Sequence, residues 1–449
     1  MNRRTMSMQV VLALVLCLVI VGCQTGAPSP TGDGTSKIRP AGGSAVSATP
    51  ENLEEAYAQE LRKSRALRAQ WANKTFEEFE AAAFKEPFSG GKYIVNGDIA
   101  VADRKHLQEF FEENIKKEPP QSRQGQLTVM RAGGQDAIWN STQKKQLTYC
   151  VSSSFGKRHA AVLSAIQAAT GAWSQVADVA YVYVPAQDAS CNANNASVMF
   201  DVRPVNVNGQ YLARAFFPNE PRAARNVLID QTSFQLDPNS KLTLIGILRH
   251  ELGHSLGWRH EHVRPEAGTC FEDNDWRPLT SYDRFSVMHY PQCNGGGDWS
   301  LTLTNFDKNG AACVYGTAPG FVVDPGICPN PPSGPTGPVT GGAQTQAFND
   351  QKVAKGEQKM YGPFTVTPGS VFQAKMTGAG TAPGDPDLYV QFGQAPQRAA
   401  GGYACRPYLS GPEESCVLDV PATQTRAFVM VHGYAAGGYG LTVNFTGGQ

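Results

Sequence analysis

Charge of one sign in excess is missing from this sequence: 39 basic residues are matched by 39 acidic ones, for a formal net charge of zero. That excludes the basic footprint by which proteins hold nucleic acid. No two cysteines form a CxxC pair, which argues against a cysteine-built zinc site. No internal repeat is visible, so repeat architectures drop out. Histidine is scarce as well, with eight in 449 residues. Yet four of the eight lie between 250 and 262, in "HELGHSLGWRHEH". The length suggests two or three domains, and an apolar content of 41% is enough to give them cores.

The first residues, "MNRRTMSMQVVLALVLCLVIVGC", have Arg3 and Arg4 followed by an apolar run too short for a comfortable transmembrane helix. This is the layout of a secretory signal peptide. Its end, Ile20-Val21-Gly22-Cys23, resembles a bacterial lipobox, with Cys23 as the lipidated first residue after removal of 1–22. Gln24 resembles the following residue of lipoproteins sorted to an outer membrane. The expectation is an exported, envelope-anchored protein. Without Cys17 and Cys23, eight cysteines remain, an even number that reads as disulfides in an exported chain. Cys405 with Cys416, and Cys270 with Cys293, are close enough in the chain to pair.

Residues 23–50, rich in Gly, Ser, Pro and Thr, read as a flexible tether. From Glu51 to about Phe84 a helix is expected, then a strand and turn in "KYIVNGDIAV" and an amphipathic helix in "DRKHLQEFFEENIKKE". "PPQSRQGQ", 119–126, reads as an exposed cutting point. A second region, 138–317, alternates "QLTYCVSS", the helix "KRHAAVLSAIQAATGAWSQV", four β-rich segments and a buried helix, "KLTLIGILRHELGHSLG", with Ser240 as its expected N-cap. This is an α+β layout. Residues 318–345 read as a Pro/Gly linker. Beyond it, 346–449, short alternating strands at regular spacing predict a β-sandwich.

On a helix, residues four apart share a face, so His250 and His254 can offer two imidazoles to one metal ion. Glu251, one residue round, can reach a water there without being a ligand, the arrangement of HExxH sites. His260 follows six residues after His254. On a continuing helix it would lie about 240° round and about 9 Å further on. The chain must therefore reverse, and Gly257 can adopt the left-handed conformation that ends a helix. Three imidazoles leave one tetrahedral position open, as in catalytic rather than structural zinc sites. The expected chemistry is attack of a zinc-activated water on a peptide bond, with Glu251 as general base.

The pattern HExxHxxGxxH resembles the metzincin metallopeptidases, which carry a methionine turn beneath the zinc. "SYDRFSVMHYP" puts Met288 28 residues after His260. Within that clan "SVMHY" looks most like the astacins. There the tyrosine two after the methionine is a zinc ligand at rest and then stabilises the oxyanion, and by position that role falls on Tyr290. "HEHVR" is similar too: in that family the glutamate, here Glu261, bonds the mature amino terminus, and Arg264 matches the arginine three residues on. "PEAGTCFEDN" departs from the usual continuation and leaves the roles of Glu261 and Arg264 open. A matrixin-like or other bacterial metzincin placement keeps the three histidines and Glu251 and drops the tyrosine role. His262 is spare and reads as a solvated loop residue. "YLARAFFP" would be the sheet edge that takes substrate as an added strand.

Residues 51–137 have no catalytic cluster and read as a pro-segment. "VNGDI" resembles the Gly-Asp motif by which astacin-like pro-segments set an aspartate on zinc, nominating Asp98 as the latency ligand; an ordinary turn is the alternative. The C-terminal region resembles the pre-peptidase C-terminal domain of secreted bacterial proteases. Asp385 and Asp387 there could bind calcium, but read more simply as turn aspartates. The expected activity is therefore a zinc endopeptidase made as a latent precursor, acting on proteins or peptides. The competing class is a surface-anchored binding protein with a silent zinc site.

Overall fold

A computed structural model of the chain describes residues 70–95, 97–117, 127–132, 135–236, 240–267, 275–297, 299–328, 341–381, 384–399 and 401–447. The expected signal peptide with Cys23, the expected tether, the start of the expected pro-segment, the expected cutting point at 119–126 and Cys270 lie outside them.

The N-terminal segment opens with helix α1, Phe76–Ala82, set by a capping box between Thr75 and Glu78. Strands β1 (Phe84–Lys85), β2 (Tyr93–Val95) and β3 (Ile99–Val101) form a small antiparallel sheet, and helix α2, Arg104–Phe110, follows with Asp103 as N-cap. The expected single helix 103–118 widens into a π turn over Phe111–Lys116. This segment has its own core, Phe79, Tyr93, Ile99, Leu107 and Phe111 among others, closed by Phe217 from the next region.

Strand β4, Thr128–Ala132, was expected within the pro-segment, which was drawn to residue 137. It pairs instead with the short β5 (Gln135–Asp136) and with a strand from far along the chain, Trp276–Pro278. The apolar Leu127 and Val129 enter the main core with Trp139 and Leu256, and this burial draws the strand into the second region. That region is built on a five-stranded sheet. Its strands are β6 (Leu147–Val151), β7 (Tyr181–Tyr183), β8 (Phe200–Val205), β9 (Ala213–Arg214) and β10 (Asn226–Asp230), in the order β7-β6-β8-β10-β9. All neighbours are parallel except the edge strand β9, which is antiparallel to β10. Helix α3, His159–Ser174, buries Val162, Ile166, Ala169 and Trp173 on one face. Trp173 donates its indole N–H to the carbonyl of Arg249, in helix α4, Leu244–Ser255, at 2.9 Å.

The N-cap of α4 is Thr243, whose hydroxyl accepts from the Gly246 amide; Ser240, expected there, accepts instead from the Leu242 amide, ahead of the helix. After β11, Trp276–Pro278, helix α5 runs from Asn305 to Tyr315 behind a capping box of Thr304 and Asp307. The expected linker is shorter than 318–345 at both ends. Cys313 bonds Cys328, and the Asp324 amide donates to Asn309, so 318–328 stays stitched to α5. The first strand of the last region, β12, already begins at Ala343 and ends at Val353. Its polar, mostly exposed pattern hid it from sequence reading.

The last region continues with β13 (Gln358–Thr365), β14 (Val371–Gly378), β15 (Asp385–Phe392), β16 (Glu414–Asp419), β17 (Arg426–Ala435) and β18 (Gly437–Thr446). They make two antiparallel sheets, β12-β18-β14-β16 and β13-β17-β15, facing each other across one apolar core. Cys405–Cys416 is bonded as expected, and Cys150 bonds Cys191, a pair 41 residues apart that the sequence did not suggest; Cys293 is also disulfide-bonded, and its expected partner Cys270 is outside the described residues.

Candidate metal centre and active site

Helix α4 ends as the histidine spacing requires. Gly257 has φ 93°, its amide donates to the His254 carbonyl at 2.8 Å, and the Trp258 amide donates to the Gly253 carbonyl at 3.0 Å. That double bond pattern is a Schellman cap. The last carbonyls of the helix find side-chain donors, Trp139 on Ser255 and Tyr315 on Leu256. A Cβ at Gly257 would stand 2.3 Å from the Ala137 carbonyl oxygen. Gly257→Ala is therefore expected to cost roughly 1–3 kcal/mol through strain alone, with more from the collision. Thermal unfolding of the variant measures it, and an unchanged midpoint would contradict this account of the turn.

The returning chain is held by β4. The Met130 amide donates to the Gly257 carbonyl at 2.7 Å, the Arg259 amide to the Thr128 carbonyl at 2.8 Å, and the Thr128 hydroxyl to the Arg259 carbonyl at 2.8 Å. His260 then arrives beside the helix pair. Ligand atoms of His250, His254, His260 and Asp98 all lie within 4.8 Å of one another, and all four side chains are buried. His250 Nε2 is 3.0 Å from His260 Nε2; Asp98 Oδ1 is 3.1 Å from His260 Nε2, and Oδ2 is 3.4 Å from His250 Nε2.

Two imidazoles are oriented by backbone acceptors. His250 Nδ1 donates to the Val287 carbonyl and His254 Nδ1 to the Trp258 carbonyl, each at 2.7 Å. These bonds leave both Nε2 atoms facing the centre, as metal-ligating histidines require. His254 Nε2, Asp98 Oδ1 and Glu251 Oε2 are buried without hydrogen-bond partners. Buried polar atoms are seldom left so, and the two that belong to the converging group, His254 Nε2 and Asp98 Oδ1, fit a divalent cation. Four nitrogen and oxygen donors suit zinc.

Burial pushes the Asp98 carboxyl up, but the imidazoles of His260, His250 and His254 outweigh it and hold the group well below the usual carboxylate range. Burial raises Glu251 well above its ordinary value, Asp98's charge adds to that, and the Ala215 amide, which donates to the Glu251 carboxyl, opposes it.

Met288 is fully buried under the site. A Cβ on Gly253 would meet its sulfur at 2.3 Å, so the bare glycine face of α4 is what admits the methionine. The turn around it is fixed by Asp307 of α5, which accepts from the Ser286 hydroxyl and the Val287 amide. Asp307 was missed in the sequence, although its T-x-x-D capping box was legible. Tyr290 is half-buried, its ring 4.4 Å from that of His260 and 5.4 Å from that of His250. Gly97, with φ 96°, brings the N-terminal segment against it: a Cβ there would stand 3.0 Å from the Tyr290 hydroxyl.

His262 is not the solvated loop residue expected. It is 2% exposed, stacks on His260 and Tyr290, and accepts from the Tyr290 amide at 3.3 Å, because the turn after His260 folds inward onto the Met288 loop. Glu261 and Arg264 pair at 2.7 Å with both side chains fully buried; burial pushes the Glu261 carboxyl up to about 8, and Arg264 opposes it. The edge strand "YLARAFFP" is covered by the N-terminal segment. Glu86 takes both Nε and Nη2 of Arg214, at 2.7 and 2.8 Å, and Phe217 packs its ring against His254. Asp385 and Asp387 are not in a turn: they start β15, with Asp387 fully buried.

Residues 139–267 match the Matrixin (Peptidase_M10) family model. The match supports a metzincin-type metallopeptidase domain there, and with it zinc as the metal and peptides as substrates. A 52-residue stretch is also 50% identical to Xanthomonalisin of Xanthomonas sp. (strain T-22), covering 12% of this chain and only 6% of that protein. Among solved structures, a de novo designed double-stranded beta-helix (15% identity, TM-score 0.14, 22% of this chain and 95% of that one) is similar locally. So is the Yersinia pseudotuberculosis-derived mitogen YPM (10% identity, TM-score 0.17, 24% and 91%). Neither likeness bears on the fold of the whole.

Proposed function

We propose that the chain is an exported zinc endopeptidase made as a latent precursor, with Glu251 as general base. The observation that carries this reading is the buried convergence of His250, His254, His260 and Asp98 within 4.8 Å, beside a buried, unpartnered Glu251 oxygen. His250, His254 and His260 would hold the zinc. When bound, it supplies Lewis acidity, polarising a carbonyl and making water acidic enough to lose a proton near neutral pH. Glu251, buried beside the histidines, would accept a proton at its carboxylate from the attacking water and pass it to the departing amine. The substrate chain would lie along the edge strand β9.

The astacin-like refinement assigns the Tyr290 hydroxyl to the oxyanion. It rests on "SVMHY" and on the stacking of Tyr290 over the histidines. Met288 supports the histidines from below. Asp98 is the latency ligand: its loop enters through Gly97, and the Glu86–Arg214 pair fastens the segment over the substrate edge. Because β4 braces the His260 return, activating cleavage falls before Leu127, within 118–126. The lipid on Cys23 would then stay with the pro-segment and the catalytic region would leave the envelope.

Chelation tests the reading. After pro-segment removal, a chelator is expected to abolish cleavage of a general protein substrate and to lower the unfolding midpoint. A metal held at about a thousand times its Kd contributes about 4 kcal/mol. Processed protein that holds one zinc per chain yet shows no chelator-sensitive cleavage would replace the enzyme by a zinc-bearing binding protein.

A further inference from the structure

The ammonium of Lys105, on α2 in the N-terminal segment, is buried in the C-terminal sandwich, its side chain only 6% exposed. Three groups accept from it: Asp387 through Oδ1 at 2.5 Å, Asp385 through Oδ2 at 3.3 Å and Oδ1 at 3.5 Å, and the Leu409 carbonyl at 3.2 Å. Three accepting groups suit the three N–H donors of a primary ammonium, whereas a planar guanidinium needs a fork. Two aromatic walls complete the enclosure. The ammonium lies 4.1 Å from the Tyr408 ring centre and 4.3 Å from that of Tyr434, and the two rings stand perpendicular, 6.2 Å apart. Such a cage attracts cations through the ring faces.

Among the described residues, the acceptors and the two rings around the ammonium belong to residues 385–434, while the occupant, and His106 packed edge-on against Tyr408, come from the N-terminal segment. Beyond Lys105, Asp387 has little to lean on: its Oδ2 is buried without a hydrogen-bond partner, 3.5 Å from His432, whose two ring nitrogens also lack one. Burial raises the Asp387 carboxyl above its ordinary range, and Lys105 opposes that. Removing the occupant leaves a desolvated carboxylate that a new ammonium would satisfy.

We propose that the C-terminal sandwich carries a lysine-recognition pocket, filled in the precursor by the chain's own Lys105 and, once the N-terminal segment leaves, available to an exposed lysine side chain of a protein substrate. The release step rests on the pro-segment reading above; the pocket does not.

The test has two arms. In the intact full chain, Lys105→Ala vacates the pocket, and n-butylammonium is expected to raise the unfolding midpoint of this variant saturably. 1-Butanol and calcium should not, and the parent chain should not respond. Tyr434→Ala, at a position 42% exposed and so safe for folding, should weaken the n-butylammonium effect severalfold. Asp387→Asn should weaken it roughly ten- to hundredfold. In the processed protein, Nα-acetyl-lysine amide is expected to bind, with Nα-acetyl-arginine amide and Nα-acetyl-norleucine amide at least about tenfold weaker. Lack of n-butylammonium stabilisation, stabilisation by calcium in its place, or processed protein blind to the lysine amide would each overturn the proposal. A chain whose mass shows no processing would refute the pro-segment reading instead, and the first arm would still decide whether the pocket exists.

Discussion

Glu251→Gln is expected to lower kcat/KM on a peptide substrate by roughly 10²- to 10⁴-fold, the usual worth of a positioned general base, while zinc content stays at one per chain. The two readouts separate because Glu251 lies beside the histidine cluster rather than in it: the four converging groups are Asp98 and the three histidines. Glutamine keeps the volume and one acceptor for the Ala215 amide, so the helix should hold. Loss of zinc along with activity would mean that the glutamate organises the site and does not act as the base. A variant as active as the parent would remove it from the chemistry altogether.

Asp98→Ala is expected to make the uncut precursor active, by about a hundredfold or more. A ligand that holds a two-state equilibrium near 99:1 releases about that factor when its contribution is lost. The carboxylate is buried against His260 and His250, and the imidazoles favour its charged form over the penalty of burial. The rest of the segment would still cover β9 through Glu86 and Arg214, so activity should stop short of that of the processed enzyme. Adding Glu86→Ala should close the remaining gap. A double variant as silent as the parent, with its zinc in place, would leave latency to bulk coverage alone and dismiss Asp98 as its switch.

Much of this centre was legible because it depends on local spacing. Two histidines four apart, a glutamate between them and a glycine three beyond the second histidine specify a helix face and a reversal with no knowledge of the remaining chain. Asp98 was readable only as a weak motif, since a Gly-Asp turn has many uses. His262 was misread because its surroundings, His260 and the Met288 turn, are assembled from segments about 30 residues apart in the chain. That residues 127–132, ahead of the expected boundary at 138, pack with the second region was not visible for a similar reason. Strand β4 looks like any short apolar segment until its partners, the Gly257–Arg259 return and β11, are brought to it. The exposed β12 lacks the alternation that reveals a half-buried strand. Lys105 gave no signal at all, because its cage is contributed by residues 280 or more positions away.

The sequence by itself determined which side chains could meet a metal, where the helix must end, and that a separate β-rich region follows a Pro/Gly stretch. These are properties of neighbours in the chain, fixed by helical pitch and backbone sterics. Tertiary structure alone decided which groups orient the histidines, which strand holds the third one in place, and how the N-terminal segment is fastened at Arg214 and at the Tyr408–Tyr434 cage. Those contacts depend on burying charge and apolar surface between distant segments, and their energy exists only once the segments have come together.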